Sequence, residues 1–281
     1  LGLTALLIAL GCVMNETLKP APGLMQHMTL LVFDLPDAKV SLATGNLHIE
    51  RTDISLESFV GTLEIGAVYN SANNKWLWNF EMENNGHHFT DPSGAWHDIS
   101  HVGIGEEIPG THWVVSGPFT MRTKSGLTYT FENQKLDSIH WENHPYPRLK
   151  MVRSEIHGAD RVTEIGMCMN GELCGALIRM EYDNLGRLAR IEGPGDNPGA
   201  SFGYDDAGRL IQAQSAQDIE QGQPGWTYGY VLLADGSSTL SSMTRTEGER
   251  VDFEFHGPRN QLSKVTRIGE GNPETHFQYR Q

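Results

Sequence analysis

Apolar and polar residues alternate along this chain in short runs, as at Leu63 to Tyr69 and Thr128 to Phe131, rather than recurring at helical spacing. Alternation at period two puts every second side chain on one face, the pattern of a half-buried strand. Helix-length amphipathic segments are scarce. Glycine (31 residues) and proline (13) punctuate the strand-like runs throughout. The pattern predicts an all-β chain of antiparallel hairpins, and 281 residues suffice to bury a core in one or two domains.

Two heptapeptides in the C-terminal half sharpen that picture. Tyr182 to Leu188 reads Y-D-N-L-G-R-L, and Tyr204 to Leu210, beginning 22 residues later, reads Y-D-D-A-G-R-L. A fixed period containing a turn signal marks a repeat architecture, in which units bury their faces by stacking. Asp183 and Gly186, like Asp205 and Gly208, occupy the first and fourth positions of a type I turn closed by a left-handed residue. With Asn184, Leu185 and Gly186 as the loop, Asp183 lies opposite Arg187 and Tyr182 opposite Leu188. The same register pairs Asp205 with Arg209 and Tyr204 with Leu210. One face then carries an opposite-charge pair and the other an aromatic–aliphatic pair, each contributing ~0.2–1 kcal/mol.

These residues resemble the YD-repeat, or Rhs-repeat, family. Weaker copies run from Tyr129 to Leu136, with Gln134 where the glycine stands, and from Phe255 to Leu262, with an altered turn. Phe277 to Gln281 looks like a repeat cut off mid-strand. Upstream, Val40 to Leu47, Arg51 to Leu56, Val68 to Ser71 and the pair Trp76 and Trp78 resemble the segment that opens the repeat region in Rhs-type proteins. The resemblance implies an antiparallel hairpin-repeat sheet, part of a shell or an open sheet, preceded by a smaller β region. It also implies a role in enclosure or surface binding, since such repeats wind into a hollow shell that can enclose a C-terminal toxin. Nothing here matches the cleavage region of those toxins, and Asp91-Pro92-Ser93-Gly94 precedes the repeats.

The first residues, Leu1 to Cys12, form an apolar run too short to span a bilayer, which takes about 20 residues. They read as the apolar core of an export signal. Ala9-Leu10-Gly11-Cys12 resembles a bacterial lipobox, so Cys12 is the expected lipidation site and a membrane lipid anchor the expected attachment. The alternative is the start of a buried strand or helix. The chain divides into a signal and tether (1–30), an N-terminal β region (31–125) whose tryptophans Trp76, Trp78, Trp96 and Trp113 could fill a core of their own, and a repeat region (126–281). Turn clusters at Gly193 to Gly199 and Gln217 to Gly225 separate strands within the last.

With Cys12 lipidated, Cys168 and Cys174 remain as an even pair around Asn170-Gly171-Glu172. A three-residue loop sets them opposite, within disulfide reach. A two-residue Asn170-Gly171 loop would pair Cys168 with Leu173 instead.

A formal charge of −14, from 21 basic and 35 acidic residues, repels phosphate backbones and argues against nucleic acid as a partner. No phosphate loop, dinucleotide fingerprint or H-E-x-x-H helix occurs. The richest remaining chemistry is a stretch with His87, His88, His97, Asp98, His101 and His112, whose imidazoles and carboxylate could hold zinc, though the spacing matches no metal motif. Glu81/Glu83 and Glu106/Glu107 read as solvated face residues rather than an acid–base pair. Trp226, Tyr228 and Tyr230 share one strand face, which is more often a core face than a sugar platform. The expectation is therefore an exported, lipid-anchored, non-catalytic repeat protein without cofactors, whose partners at the cell surface are carbohydrate or protein. The alternatives are the N-terminal portion of a larger Rhs-type polymorphic toxin, and a secreted metal-dependent or carbohydrate-active enzyme.

Overall fold

The computed structural model describes residues 32–35, 38–41, 44–170, 174–195, 199–233, 236–257, 261–269 and 273–278. Leu1 to Cys12, the expected export signal, lies outside them. The first sheet is a meander of β1 (Val32–Leu35), β2 (Ala38–Ser41), β3 (Leu47–Ser58), β4 (Gly61–Asn70) and β5 (Lys75–Trp78), paired in chain order. On β3 the inward positions are Leu47, Ile49 and Arg51, after which the phase slips and Ile54 turns inward. The slip is a β-bulge: Thr52 pairs with Gly66 and Ile54 with Ile65, leaving Asp53 extra. Gly66 makes the bulge possible, because a Cβ there would stand 1.8 Å from the Arg51 carbonyl oxygen.

The second sheet opens with three short strands, β6 (Glu83–Asn84), β7 (His88–Thr90) and β8 (Trp96–Asp98). It continues through β9 (Trp113–Gly117), β10 (Thr120–Thr123), β11 (Leu127–Glu132), β12 (Lys135–Trp141), β13 (His144–Ile156) and β14 (Ala159–Cys168). The repeat strands follow: β15 (Cys174–Tyr182), β16 (Leu188–Glu192), β17 (Ala200–Tyr204) and β18 (Leu210–Gln214). β19 (Trp226–Leu232), β20 (Ser238–Thr244), β21 (Arg250–His256), β22 (Gln261–Ile268) and β23 (Glu274–His276) complete it. From β9 to β23 each strand pairs antiparallel with the next, and β6–β8 branch off at β12 through Lys135 and Glu83. No strand register among the described residues joins β23 to β6 or β8 to β9, and the sheet stays open. This is the antiparallel hairpin sheet preceded by a smaller β region that the alternating pattern predicts. Sheet membership changes between β5 and β6, while the β10–β11 hairpin carries the ladder through residue 125.

Residues 216–221 depart from the turn reading. α1 (Ala216–Gln221) is a short helix begun by a capping box, Ser215 with Asp218, and ended by left-handed Gly222. The reciprocal Ser–Asp hydrogen bonds satisfy amides that a bare first turn leaves open, which lets six residues hold a helix between β18 and β19.

The four tryptophans of the N-terminal half do not make a separate core. One contiguous apolar cluster takes in Leu47, Ile49 and Tyr69 from the first sheet and Ile191, Phe202 and Leu240 from the second. Trp78 packs on Phe202 at 4.6 Å and Trp76 on Tyr228 at 4.8 Å. Trp113 sits edge-on to Phe89 at 5.0 Å and to Tyr129 at 4.9 Å. Trp96 is half exposed and stacks on His88. The first sheet thus covers the inner face of the second, where large aromatic surfaces gain most from losing water.

Candidate functional site

The two full heptads adopt the register their turn chemistry dictates. Tyr182 pairs with Leu188 and Tyr204 with Leu210, each beside a bulge. The Gly186 amide donates to the Asp183 carbonyl at 3.0 Å with φ +74°, a backbone state that glycine enters without steric cost. Asp183 Oδ1 accepts from the Leu185 and Arg187 amides, and its Oδ2 meets Arg187 Nε at 2.6 Å. Asp205 and Arg209 repeat the contact at 2.6 Å. Burial alone would raise both aspartates, but hydrogen bonds from the following arginine outweigh it and hold the carboxyls below their ordinary value.

Successive repeats are also linked to each other. Tyr204 donates its hydroxyl to the Leu188 carbonyl at 2.8 Å, and Tyr230 donates to the Leu210 carbonyl at 2.7 Å. Tyr182 makes the equivalent bond to Val162 at 2.7 Å. In the other direction, Arg187 lies over the Tyr204 ring at 4.7 Å and Arg209 over Tyr230 at 5.0 Å. Burial pushes all three phenols up, so they remain protonated donors. Tyr230, paired with Leu240, is thereby the aromatic of a third, divergent unit. In the weaker copies the pairs are Phe131 with Leu136 and Phe255 with Leu262, so Phe131 rather than Tyr129 holds the motif position. Gln134, standing where the glycine would, itself takes φ +71°.

The most concentrated electrostatics lie where the sheets meet. Arg51 and Asp53, with side chains 5% and 3% exposed, form a bidentate pair at 2.7 and 3.0 Å. Arg51 Nη1 also donates to Tyr228 Oη at 2.8 Å, and its guanidinium lies 5.3–5.9 Å from the rings of Trp76, Trp78, Phe202 and Tyr228. Burial pushes the Asp53 carboxyl up against the opposing pull of Arg51. Close by, Trp76 Nε1 donates to Tyr230 Oη at 2.9 Å, and Tyr69 Oη accepts from the Leu240 amide at 3.0 Å. Sequence reading passed over this centre. Its signal was an arginine in the inward phase of Leu47, Ile49 and Arg51, with an acid two residues on.

The stripe Trp226, Tyr228 and Tyr230 faces the core, Tyr228 being buried and the other two partly so. The histidine-rich stretch does not converge. Among the described residues no group of three histidine, cysteine or carboxylate side chains is placed to hold a metal. His97 instead pairs with Asp91 at 3.0 Å, where Asp91 Oδ1 also closes a turn onto Ser93 and Ala95. Glu81, only partly buried, pairs with Arg161 at 3.4 Å, and Glu106 accepts from the Gly103 amide at 2.9 Å. Cys168 and Cys174 stand opposite in the ladder and are joined by a disulfide.

No family profile matches the chain, and no curated protein sequence does. Solved structures do. A chain of the TcdB2-TccC3-TEV crystal structure matches at 10% identity and TM-score 0.35, covering 82% of this chain and 15% of its own. One in the TcdB2-TccC3 structure matches at 9% identity and TM-score 0.33, covering 87% and 14%. This chain therefore spans about one-seventh of the length of the structures it matches.

Proposed function

We propose that this is an exported, non-catalytic protein of the YD/Rhs-repeat type, lipid-anchored through Cys12, whose hairpins build a wall that encloses or presents a binding face. The observation that carries the reading is the two-way link between repeats. Each motif tyrosine bonds the backbone of the preceding unit, and each motif arginine covers the tyrosine of the next. Side chains that a catalytic site would need free are spent on holding neighbours together. Such a sheet extends by adding units, because every hairpin presents the contacts that the next one completes.

Two measurements test the two halves of the reading. Hydrogen exchange should report β13 to β22 as one cooperatively protected block; hairpins that open independently would sink the wall. Labelling with radioactive palmitate in a bacterial host, using the whole gene, should mark the protein in the membrane fraction, with the mark lost in Cys12→Ala. Unlabelled protein confined to the cytosol would remove the export reading.

A further inference from the structure

A cleft of about 600 Å³ opens beside the Arg51 centre, within the size range of small-ligand sites. It is lined by the β3 bulge, by α1, by Trp226 at the start of β19 and by the turn from β20 into β21. Its charges are largely engaged already. Arg51 is held by Asp53 and Tyr228, and Arg245 by Glu249 at 3.1 Å and by the Trp226 ring at 5.5 Å. Asp218 accepts from Ser215 and from Thr246 at 2.8 Å. An anion entering here would find both arginines occupied and the exposed Glu247 carboxylate on the lining.

The groups with capacity to spare are of another kind. Gln217, Gln221 and Gln223 line the cleft, are exposed, and their side-chain amides bond nothing among the described residues. Each amide offers two donors and an acceptor, which suits a ligand dense in hydroxyls. Trp226 adds an apolar ring to the lining, half-buried and so fixed in place. A peptide added as a strand is disfavoured, because β3, β18, β19, β20 and β21 are each paired on both sides.

We propose that this cleft binds a neutral saccharide, with Gln217, Gln221, Gln223 and Glu247 reading its hydroxyls and Trp226, whose ring Arg245 covers, meeting the sugar only with the part of its surface that lines the cleft. This deepens the binding-face half of the function proposed above and does not depend on export, so its test uses purified protein. The chain is titrated calorimetrically with cellotriose, maltotriose, mannotriose and tri-N-acetylchitotriose, and with a sulfated heparin trisaccharide as the anionic control. Saturable binding of at least one neutral trisaccharide is expected. Replacing Gln217, Gln221 and Gln223 together by alanine should weaken it by about tenfold or more, tenfold being the low end for three lost hydrogen bonds, at unchanged melting temperature. Trp226→Leu, which keeps an apolar side chain for packing, should weaken it as well. A folded chain that binds none of the neutral sugars, that binds only the sulfated one, or that binds equally well without the three amides overturns the proposal. Loss of palmitate labelling with sugar binding intact would sink the export reading alone.

Discussion

Tyr204 donates its hydroxyl to the backbone carbonyl of Leu188, 16 residues earlier, at 2.8 Å. The bond ties one repeat's motif aromatic to the preceding repeat's motif leucine, and the same geometry recurs between Tyr230 and Leu210. Stacking therefore has a polar component with fixed direction besides its apolar one. Tyr204→Phe keeps the ring under Arg187 and deletes only this bond. It should destabilise the chain by about 1 kcal/mol, read as a lower urea midpoint at unchanged slope. An unaltered midpoint would mean that the bond adds nothing to holding the repeats together.

Gly186 and Gly208 carry the reversals at φ +74° and +80°. A β-branched side chain is excluded from that region, so Gly186→Val should cost about 1–3 kcal/mol. Thermal unfolding checks it. A valine variant that melts like the parent would contradict the turn assignment.

The Arg51–Asp53 pair predicts an asymmetry between single and double replacement. Arg51→Met strands a buried carboxylate and should cost about 3–5 kcal/mol, whereas Arg51→Met with Asp53→Leu should recover much of the loss. Chemical denaturation of the three variants decides it. Equal losses in the single and double variants would show that packing, not charge, governs the centre.

Acid should unfold the chain through a small set of carboxylates. Burial favours raising Asp91, but hydrogen bonds from His97 and Ser93 outweigh it and hold its carboxyl below the ordinary value. Glu50 falls from 4.5 to about 2, chiefly through its hydrogen bond with His48. Groups depressed on folding stabilise above their unfolded pKa and lose that contribution as pH falls through the folded one. Stability should thus hold near neutrality and decline from about pH 4.5 downward, with Asp91→Asn showing a shallower decline. Urea midpoints measured across that range test the sign; a midpoint that rises on acidification would reverse it.

Where local chemistry is decisive, sequence and structure agree. The D-x-x-G turns, the tyrosine–leucine register and the opposition of Cys168 and Cys174 depend on residues within a few positions of each other, and all are present. The short helix at 216–221 was also encoded locally, in Ser215 and Asp218, but the surrounding glycine and proline masked it. The inner aromatic stripe at Trp226, Tyr228 and Tyr230 followed from alternation alone.

By itself the chain determined that it would fold as antiparallel hairpins, where each would turn, and which side chains would share a face, because steric limits and a period of two act over neighbouring residues. Tertiary structure decided that the first sheet lies across the second, that Arg51 is buried among four rings contributed from both sheets, and that Tyr204 reaches Leu188. The first two depend on which apolar faces exclude water from each other across more than a hundred residues, and the third on how neighbouring hairpins stack 16 residues apart. No local pattern encodes that choice of partner.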